Sequence, residues 1–208
     1  MAPTVVDPQA IRAFPDAVRF AEWLAAKHDK AGELWLRLFK KQSGVPTISY
    51  AEALDIALCW GWIDGQKKPF DDESFLQRFC PRGRNSIWSQ RNVAHAERLV
   101  AQGRMQPAGQ AQIDAAKADG RWQRAYAAGR DMEIPADLSA AIAADPKAEA
   151  TFATLNRQNL YSLVFRTHSM KTPAGRAKKI ADLVAMLARG ETPHPNGRGE
   201  DNSKESDA

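Results

Sequence analysis

The chain has 208 residues, enough for one domain or for one domain with an additional region. Hydrophobic residues make up 44% of it, which is normal for a globular protein with a core, and charges interrupt every long apolar stretch. A transmembrane helix, which needs about 20 mostly apolar residues, is therefore not expected. The first residues lack a basic start followed by an apolar stretch, so no secretory signal is predicted and the expected location is the cytoplasm.

The net charge is +4, and it is unevenly distributed along the chain. Residues 190–208 carry five acidic and two basic side chains, so the positive surplus belongs to the preceding residues. A surplus of this size is compatible with an anionic partner but does not require one.

The first half of the chain is predicted to mix helices and strands. Alternation of Leu34, Leu36 and Leu38 with their neighbours indicates a strand. Ser49 and Glu52 form the pattern of a capping box before an apolar helix. The predicted elements are a helix over 16–28, a strand over 34–39, a helix over 50–60 and a hairpin of strands over 62–66 and 74–82. With the strand 34–39 alongside, they form a sheet of about three antiparallel strands covered by helices on one face.

The second half is predicted to be almost entirely helical. A helix capped by Ser86 or Ser89 ends at Gly103, and another runs from Pro107 to Gly120. Further helices are predicted over 138–144, 147–155, 159–168 and 172–190. The fold class is therefore α+β with a helical C-terminal half. The predicted domains are 1–130, a helical region over 131–190 and a disordered tail over 191–208. Removing residues 192–208 is expected to change stability by less than about 0.5 kcal/mol.

The stretch from Trp60 to Asn92 is the densest mixture of tryptophan, arginine and small polar residues in the chain. We predict a ligand-binding cleft with two walls. One wall lies on a strand, where Trp62, Asp64 and Gln66 alternate and are expected to point the same way. The other is an arginine loop leading into a helix, where backbone N–H groups favour anions. Its residues are Arg82, Arg84, Ser86, Ser89 and Asn92, and Trp88 between them is a further predicted ligand-binding residue.

Purely structural roles are the alternative for the same residues. The tryptophans could belong to the core, and Asp64 with Gly65 could form a solvated turn. The serine could be a plain helix cap, and the arginines could pair with acidic residues across the turn, namely Asp71, Asp72 and Glu73.

Motifs of the common catalytic and cofactor-binding sites are absent from the sequence. The four histidines, His28, His95, His168 and His194, lack metal-ligand spacing, so neither a metal nor a cofactor is predicted. His95 does not share a helix face with Ser89. Cys59 and Cys80 read as buried apolar residues, although the arginines near Cys80 make it the better candidate for a reactive thiol. Enzyme activity stays open, with a non-enzymatic role favoured.

The chain resembles the YdeI/OmpD-associated family, also described as bacteriocin-protection proteins. The segments that carry the resemblance are YAEALDIALCWGWIDGQ, QRFCPRGRNSIWSQRNVAHAERLVAQGRMQPAG, IDAAKADGRW and KTPAGRAKKIADLVAMLARGE. They extend over about residues 35–191. The chain departs from the family pattern at Cys80 and at Ala174 and Gly175.

The resemblance implies protection against bacteriocins or antimicrobial stress and a link to the cell envelope, without catalytic residues to carry over. The favoured hypothesis is a binding protein for an anionic small molecule or an acidic protein partner. The alternative is an enzyme acting on a small anionic or cell-wall-derived substrate. Nucleic-acid binding through basic helices over 89–102 and 172–189 is a weaker possibility, because aromatic residues do not alternate with the basic ones. The sequence does not predict an oligomeric state.

Overall fold

The computed structural model describes residues 6–127, 133–170 and 172–196. It confirms an α+β fold with a helical C-terminal half. The chain divides into two compact units, Met1–Ala125 and Tyr126–Ala208, and each is considered separately. The predicted domain boundary at residue 130 lies outside the described residues.

The first unit contains a sheet of four strands, not the predicted three. The strands are β1 (Ile11–Arg12), β2 (Leu34–Phe39), β3 (Trp62–Pro69) and β4 (Ser74–Pro81), in the order β1-β2-β4-β3. The predicted hairpin and its neighbouring strand are present, with β4 antiparallel to both β2 and β3. The additional strand β1 pairs parallel with β2. A two-residue strand has no periodicity, so the sequence pattern could not reveal it.

Four α-helices occur in the described part of this unit, and local caps fix where some of them begin. They are α1 (Ala17–Lys27), α2 (Tyr50–Cys59), α3 (Gln90–Ala101) and α4 (Pro107–Ala118). Asp16 accepts from the backbone N–H of Arg19 at the start of α1. The capping box of Ser49 and Glu52 is complete at α2. Ser89 begins α3, which decides between the two serines predicted as caps.

Two apolar clusters hold the unit together. The first lies between one face of the sheet and helices α1 and α2, where Leu36, Phe79 and Trp62 meet Phe20 and Leu24. The second joins α2, α3 and α4 through Leu58, Leu99, Ile113, Trp88 and Trp122. Helix α2 contributes to both clusters and so connects the sheet to the later helices.

A very close approach of α4 to the end of α2 depends on Gly109. A Cβ atom at Gly109 would lie 2.7 Å from the carbonyl oxygen of Leu58 and would clash with that of Cys59. Because neither atom is at the free end of a side chain, a larger residue would force the helices apart.

The described residues of the second unit form the helices α5 (Ala136–Ala143), α6 (Pro146–Ala153), α7 (Arg157–His168) and α8 (Pro173–Ala188). These confirm the four predicted helices within a few residues. Thr172 accepts from the backbone N–H of Gly175, as the predicted N-cap of α8. Apolar residues from α5, α6, α7 and α8 form its core, including Leu138, Ala148, Leu163 and Leu187.

Residues 191–196, the first part of the predicted tail, make specific hydrogen bonds to α7 and the residues before it. The side chain of Asn159 is fully buried and exchanges hydrogen bonds with the backbone of His194. Asn196 accepts from the backbone N–H of Asn156 at 2.9 Å. The rest of the predicted tail, residues 197–208, lies outside the described residues. Among the residues that are described, no helix is long and apolar enough to cross a membrane.

Candidate functional site

The first predicted wall does not form as expected, because a bulge interrupts strand β3. Trp62 is 1% exposed, packs edge-on against Trp23, and donates from its indole nitrogen to the backbone oxygen of His28 at 3.0 Å. The register against β4 shifts between Asp64 and Lys67, so the alternation that was expected to align Gln66 with Trp62 ends there. The side chain of Gln66 is exposed.

Asp64 has a specific partner that the sequence did not indicate. It accepts a hydrogen bond of 2.7 Å from the hydroxyl of Tyr50, at the start of α2. Burial and the neighbouring carboxylate raise the pKa of Tyr50, so the phenol stays protonated and serves as a donor. Asp64 is therefore a helix-to-strand contact, which leaves the alternative of a solvated turn unsupported.

Arg82 is largely buried in the second wall, where it organises the loop. Its side chain is 6% exposed, and the guanidinium lies 3.6 Å from the ring centroid of Trp88. It also donates to the hydroxyl of Ser86 and to the backbone oxygen of Ile87, both at 3.3 Å. Trp88 packs in turn against Trp122, with ring centroids 4.8 Å apart. This arrangement positions Arg82 inside the protein.

The remaining residues of that wall differ in exposure. Ser89 is buried and caps α3 by accepting from the backbone N–H of Asn92. Asn92 is half-buried, and Arg84 is exposed. The acidic residue Asp71 pairs with Arg37, at 2.6 Å.

The structure thus divides the predicted cleft between the two apolar clusters. Trp62 belongs to the cluster under the sheet, and Trp88 to the cluster of α2, α3 and α4. Arg82, Ser86, Trp88 and Ser89 do lie together at the start of α3. A ligand-binding role for the predicted residues stays a prediction.

A polar cluster that the sequence did not reveal joins α2 to α3. The carboxylate of Asp55 receives two hydrogen bonds from Arg98, at 2.7 and 2.8 Å, and lies 2.9 Å from Nδ1 of His95. Burial alone would raise the pKa of Asp55, but the hydrogen bonds from Arg98 and His95 outweigh it and hold that pKa below its ordinary value. The partners lie some 40 positions apart in sequence, so no local motif could announce them.

Nucleophilic chemistry is not favoured at this cluster. The nearby thiol of Cys59 is 5% exposed, and burial raises its pKa, so it is not an activated thiolate at neutral pH. No group of three or more metal-ligating side chains occurs within the described ranges. The cluster reads as an electrostatic link between two helices.

A cavity of about 280 Å³ lies where α1 ends and β1 meets β2, and we call it the basic cavity. Its cationic side chains are Arg12, Lys27 and Lys30. All three are exposed, and none forms an ion pair with another described residue. Trp23 forms an aromatic part of the wall.

The acidic residue in the lining of the basic cavity, Glu33, is already paired. Glu33 accepts from Nε of Arg78 at 2.7 Å and from the indole nitrogen of Trp35 at 3.3 Å. The backbone carbonyl of Lys27, at the end of α1, is also occupied, because it accepts hydrogen bonds from the backbone N–H groups of Lys30 and Ala31. The basic cavity therefore presents an excess of positive charge to solvent.

Sequence reasoning missed this cavity because Arg12 reaches it only through strand β1. The sequence does show that Lys27 and Lys30 are three positions apart. Two lysines near the C-terminal end of a helix, however, usually only complement the helix dipole. The burial of Trp62 against Trp23 places the predicted aromatic residue directly behind the cavity wall.

Comparison with family models gives two matches in separate parts of the chain. Residues 131–190 match the model described as "Bacteriocin-protection, YdeI or OmpD-Associated". The resemblance predicted from the sequence is confirmed there. Residues 12–112, with the tryptophan and arginine motifs, match a model described as a domain of unknown function (DUF8412). Neither the search of curated proteins nor that of solved structures found a significant match.

The match over residues 131–190 suggests a function of the bacteriocin-protection type. It falls within the helical second unit, whereas the candidate sites described above belong to the first.

Proposed function

We propose that this protein is a bacteriocin-protection-type binding protein whose basic cavity holds a small anionic molecule. The family match over residues 131–190 supports the protective role. The observation that carries the anionic ligand is the convergence of Arg12, Lys27 and Lys30 on one cavity without a described acidic partner. The proposal includes action inside the cytoplasm without catalysis.

The basic cavity suits an anion better than the arginine loop does. Arg82 is buried beneath Trp88 and would have to leave its packing to reach a ligand. The cationic side chains of the basic cavity are exposed and can reorient at little cost. A cavity of about 280 Å³ admits a molecule of several heavy atoms, and Trp23 offers a ring surface for an apolar part.

The test is thermal unfolding with inorganic phosphate, pyrophosphate and acetate at constant ionic strength. We expect at least one of these anions to raise the melting temperature, because a ligand present at one hundred times its Kd adds about 2.7 kcal/mol to the free energy of unfolding. The double variant Lys27→Gln/Lys30→Gln should lose this stabilisation. Its matched control is Lys41→Gln/Lys147→Gln, which removes the same charge from two exposed lysines outside the cavity.

If both double variants lose the anion-dependent rise in melting temperature equally, the rise is a general charge effect, and a specific site is contradicted. Absence of any anion-dependent shift in the unmodified protein would also overturn the proposal. An acidic protein partner would be indicated instead if acidic peptides, but no small anion, stabilise the protein through the same two lysines.

A further inference from the structure

A second cavity, of about 210 Å³, lies between α3 and α4, and we call it the apolar cavity. Its walls include Val100 and Ala101 from α3 and Ile113 from α4, together with Trp122. Ile113 and Trp122 are only 2% and 9% exposed, whereas Val100 is 44% exposed. Two nearly buried residues thus form a deep apolar surface beside an open edge.

The size of this cavity matches one aromatic ring with a few additional atoms. A dry apolar cavity of about 150 Å³ is large enough to bind benzene. Ala101 has no side-chain atoms beyond Cβ, so the α3 wall leaves the space open. A ring placed here would contact the face or edge of Trp122, an arrangement that aromatic pairs favour.

The edge of the apolar cavity carries one charge of each sign on opposite helices. Glu97 belongs to α3 and Lys117 to α4, and both side chains are exposed. Neither forms an ion pair with another residue in the described part of the chain. The ammonium of Lys117 lies 5.3 Å from the ring centroid of Trp122, so it stands next to the apolar surface. Gln110, also in the lining, donates from its side-chain amide to Asp114 at 2.8 Å.

We infer that the apolar cavity binds a free aromatic α-amino acid. The ring would occupy the space over Ile113 and Trp122, the carboxylate would pair with Lys117, and the ammonium with Glu97. A simple anion is disfavoured by Glu97, and a simple cation by Lys117, whereas a zwitterion satisfies both. This site is separate from the basic cavity, with which it shares no lining residue.

The experiment is calorimetric titration of the full chain with L-phenylalanine and three analogues that each lack one group. Phenethylamine lacks the carboxylate, 3-phenylpropionate lacks the ammonium, and alanine lacks the ring. We expect L-phenylalanine to bind most tightly and alanine not to bind. Each analogue that keeps the ring should bind about fivefold more weakly, since a partly exposed ion pair contributes up to about 1 kcal/mol.

Two charge variants separate the ends of the ligand. Lys117→Gln should weaken binding of L-phenylalanine and 3-phenylpropionate about fivefold without weakening that of phenethylamine. Glu97→Gln should weaken binding of L-phenylalanine and phenethylamine without weakening that of 3-phenylpropionate. Lys147→Gln, an exposed lysine in the other unit, is the control for net charge. Ala101→Phe should abolish binding by filling the cavity.

Failure of L-phenylalanine to bind at millimolar concentration would overturn the inference, as would binding that Ala101→Phe leaves intact. Equal or tighter binding of the neutral N-acetyl-phenylalanine amide would also overturn it, and would identify the cavity as a seat for one side chain of a peptide. If both charge variants weaken the binding of all the ligands equally, the proposed orientation of the amino acid, with its carboxylate at Lys117 and its ammonium at Glu97, is contradicted.

Discussion

At the scale of single residues, Arg82 determines how the arginine loop is built. Its guanidinium stacks on Trp88 at 3.6 Å and donates to Ser86 and Ile87. A buried cation that contacts an aromatic face and carbonyl oxygen stabilises the fold more than an exposed one does. Arg84, two positions later, is exposed and serves as a natural comparison.

We expect Arg82→Ala to lower the free energy of unfolding by about 2–3 kcal/mol, because charged hydrogen bonds and a desolvated cation–π contact are lost. Arg84→Ala should change it by less than about 0.5 kcal/mol. Urea unfolding followed by tryptophan fluorescence measures both. A small effect of Arg82→Ala on the free energy of unfolding would instead favour a ligand-binding role for Arg82.

A binding role for Arg84 is tested by measuring thermal unfolding of Arg84→Ala with the same anions as for the basic cavity.

At the scale of elements, helix α2 is the junction of the first unit, and Gly109 sets its distance from α4. A Cβ atom at this position would lie 2.7 Å from the oxygen of Leu58 and would also press on Cys59. Alanine is normally a better helix former than glycine by about 1 kcal/mol. Whether Gly109→Ala raises or lowers stability therefore depends on whether this gain or the overpacking by the new Cβ atom is larger. Overpacking against backbone atoms is the larger, since it costs about 1–3 kcal/mol.

Gly109→Ala should therefore destabilise the protein by about 1–3 kcal/mol, as measured by urea unfolding. Gly83→Ala is the matched control, because a Cβ atom there would meet nothing within 4 Å. It should leave stability unchanged or raise it by up to about 1 kcal/mol. Stabilisation by Gly109→Ala would show that α4 can move away from α2 without loss.

Asp55 links α2 to α3, and its lowered pKa makes that link sensitive to acid. Its folded-state pKa lies below the unfolded one, owing to hydrogen bonds from Arg98 and His95 that outweigh the larger single effect of burial. Stability from this group is fully present above the unfolded pKa and is lost as the pH falls through the folded pKa. Arg104, 3.8 Å from the carboxylate, adds a further positive charge.

Asp55→Asn should destabilise the protein by about 1–2 kcal/mol at neutral pH, because charged hydrogen bonds are removed from a partly buried site. The difference from the unmodified protein should shrink as the pH falls below the ordinary aspartate pKa of about 3.9 and on through the lower folded-state pKa, where the native carboxyl group also becomes protonated. Unfolding midpoints measured between neutral and acidic pH follow the change. Asp114→Asn, which alters an exposed contact with Gln110, should give only a small difference at any pH. A stability difference between Asp55→Asn and the unmodified protein that does not change with pH would contradict the proposed role of the Asp55 carboxylate.

At the scale of the whole molecule, the chain forms two compact units, and residues beyond α8 contribute to the second. Asn159 is fully buried; its side chain exchanges hydrogen bonds with the backbone of His194 and donates to the side-chain oxygen of Asn196. Removing those partners would leave a buried amide unsatisfied.

Removal of residues 192–208 should therefore lower the stability of the second unit by about 1–3 kcal/mol, in place of the negligible change expected from sequence. Removal of residues 197–208 alone is the matched control, since it leaves His194 and Asn196 in place. Calorimetric unfolding of both truncated proteins distinguishes the two effects. Equal stability of the two would mean that the contacts of Asn159 are replaced by water.

Much of the local structure was predictable from sequence because its causes are local. The capping box at Ser49 and Glu52, the cap at Thr172 and the alternation in Leu34–Phe39 each act over a few residues. The starts of helices α2 and α8 and the extent of strand β2 follow from these signals. The similarity to bacteriocin-protection proteins was also recognisable, and a family model matches it over residues 131–190.

The candidate sites depend on long-range packing that local patterns do not encode. The bulge after Asp64 separates Gln66 from Trp62. Arg82, expected at the surface, is buried and stacks on Trp88 of the second apolar cluster. The two-residue strand β1 brings Arg12 beside the end of α1. Helix propensity and periodicity act between neighbours in sequence, whereas cavities and ion pairs arise where distant segments meet, and therefore only the folded chain places them.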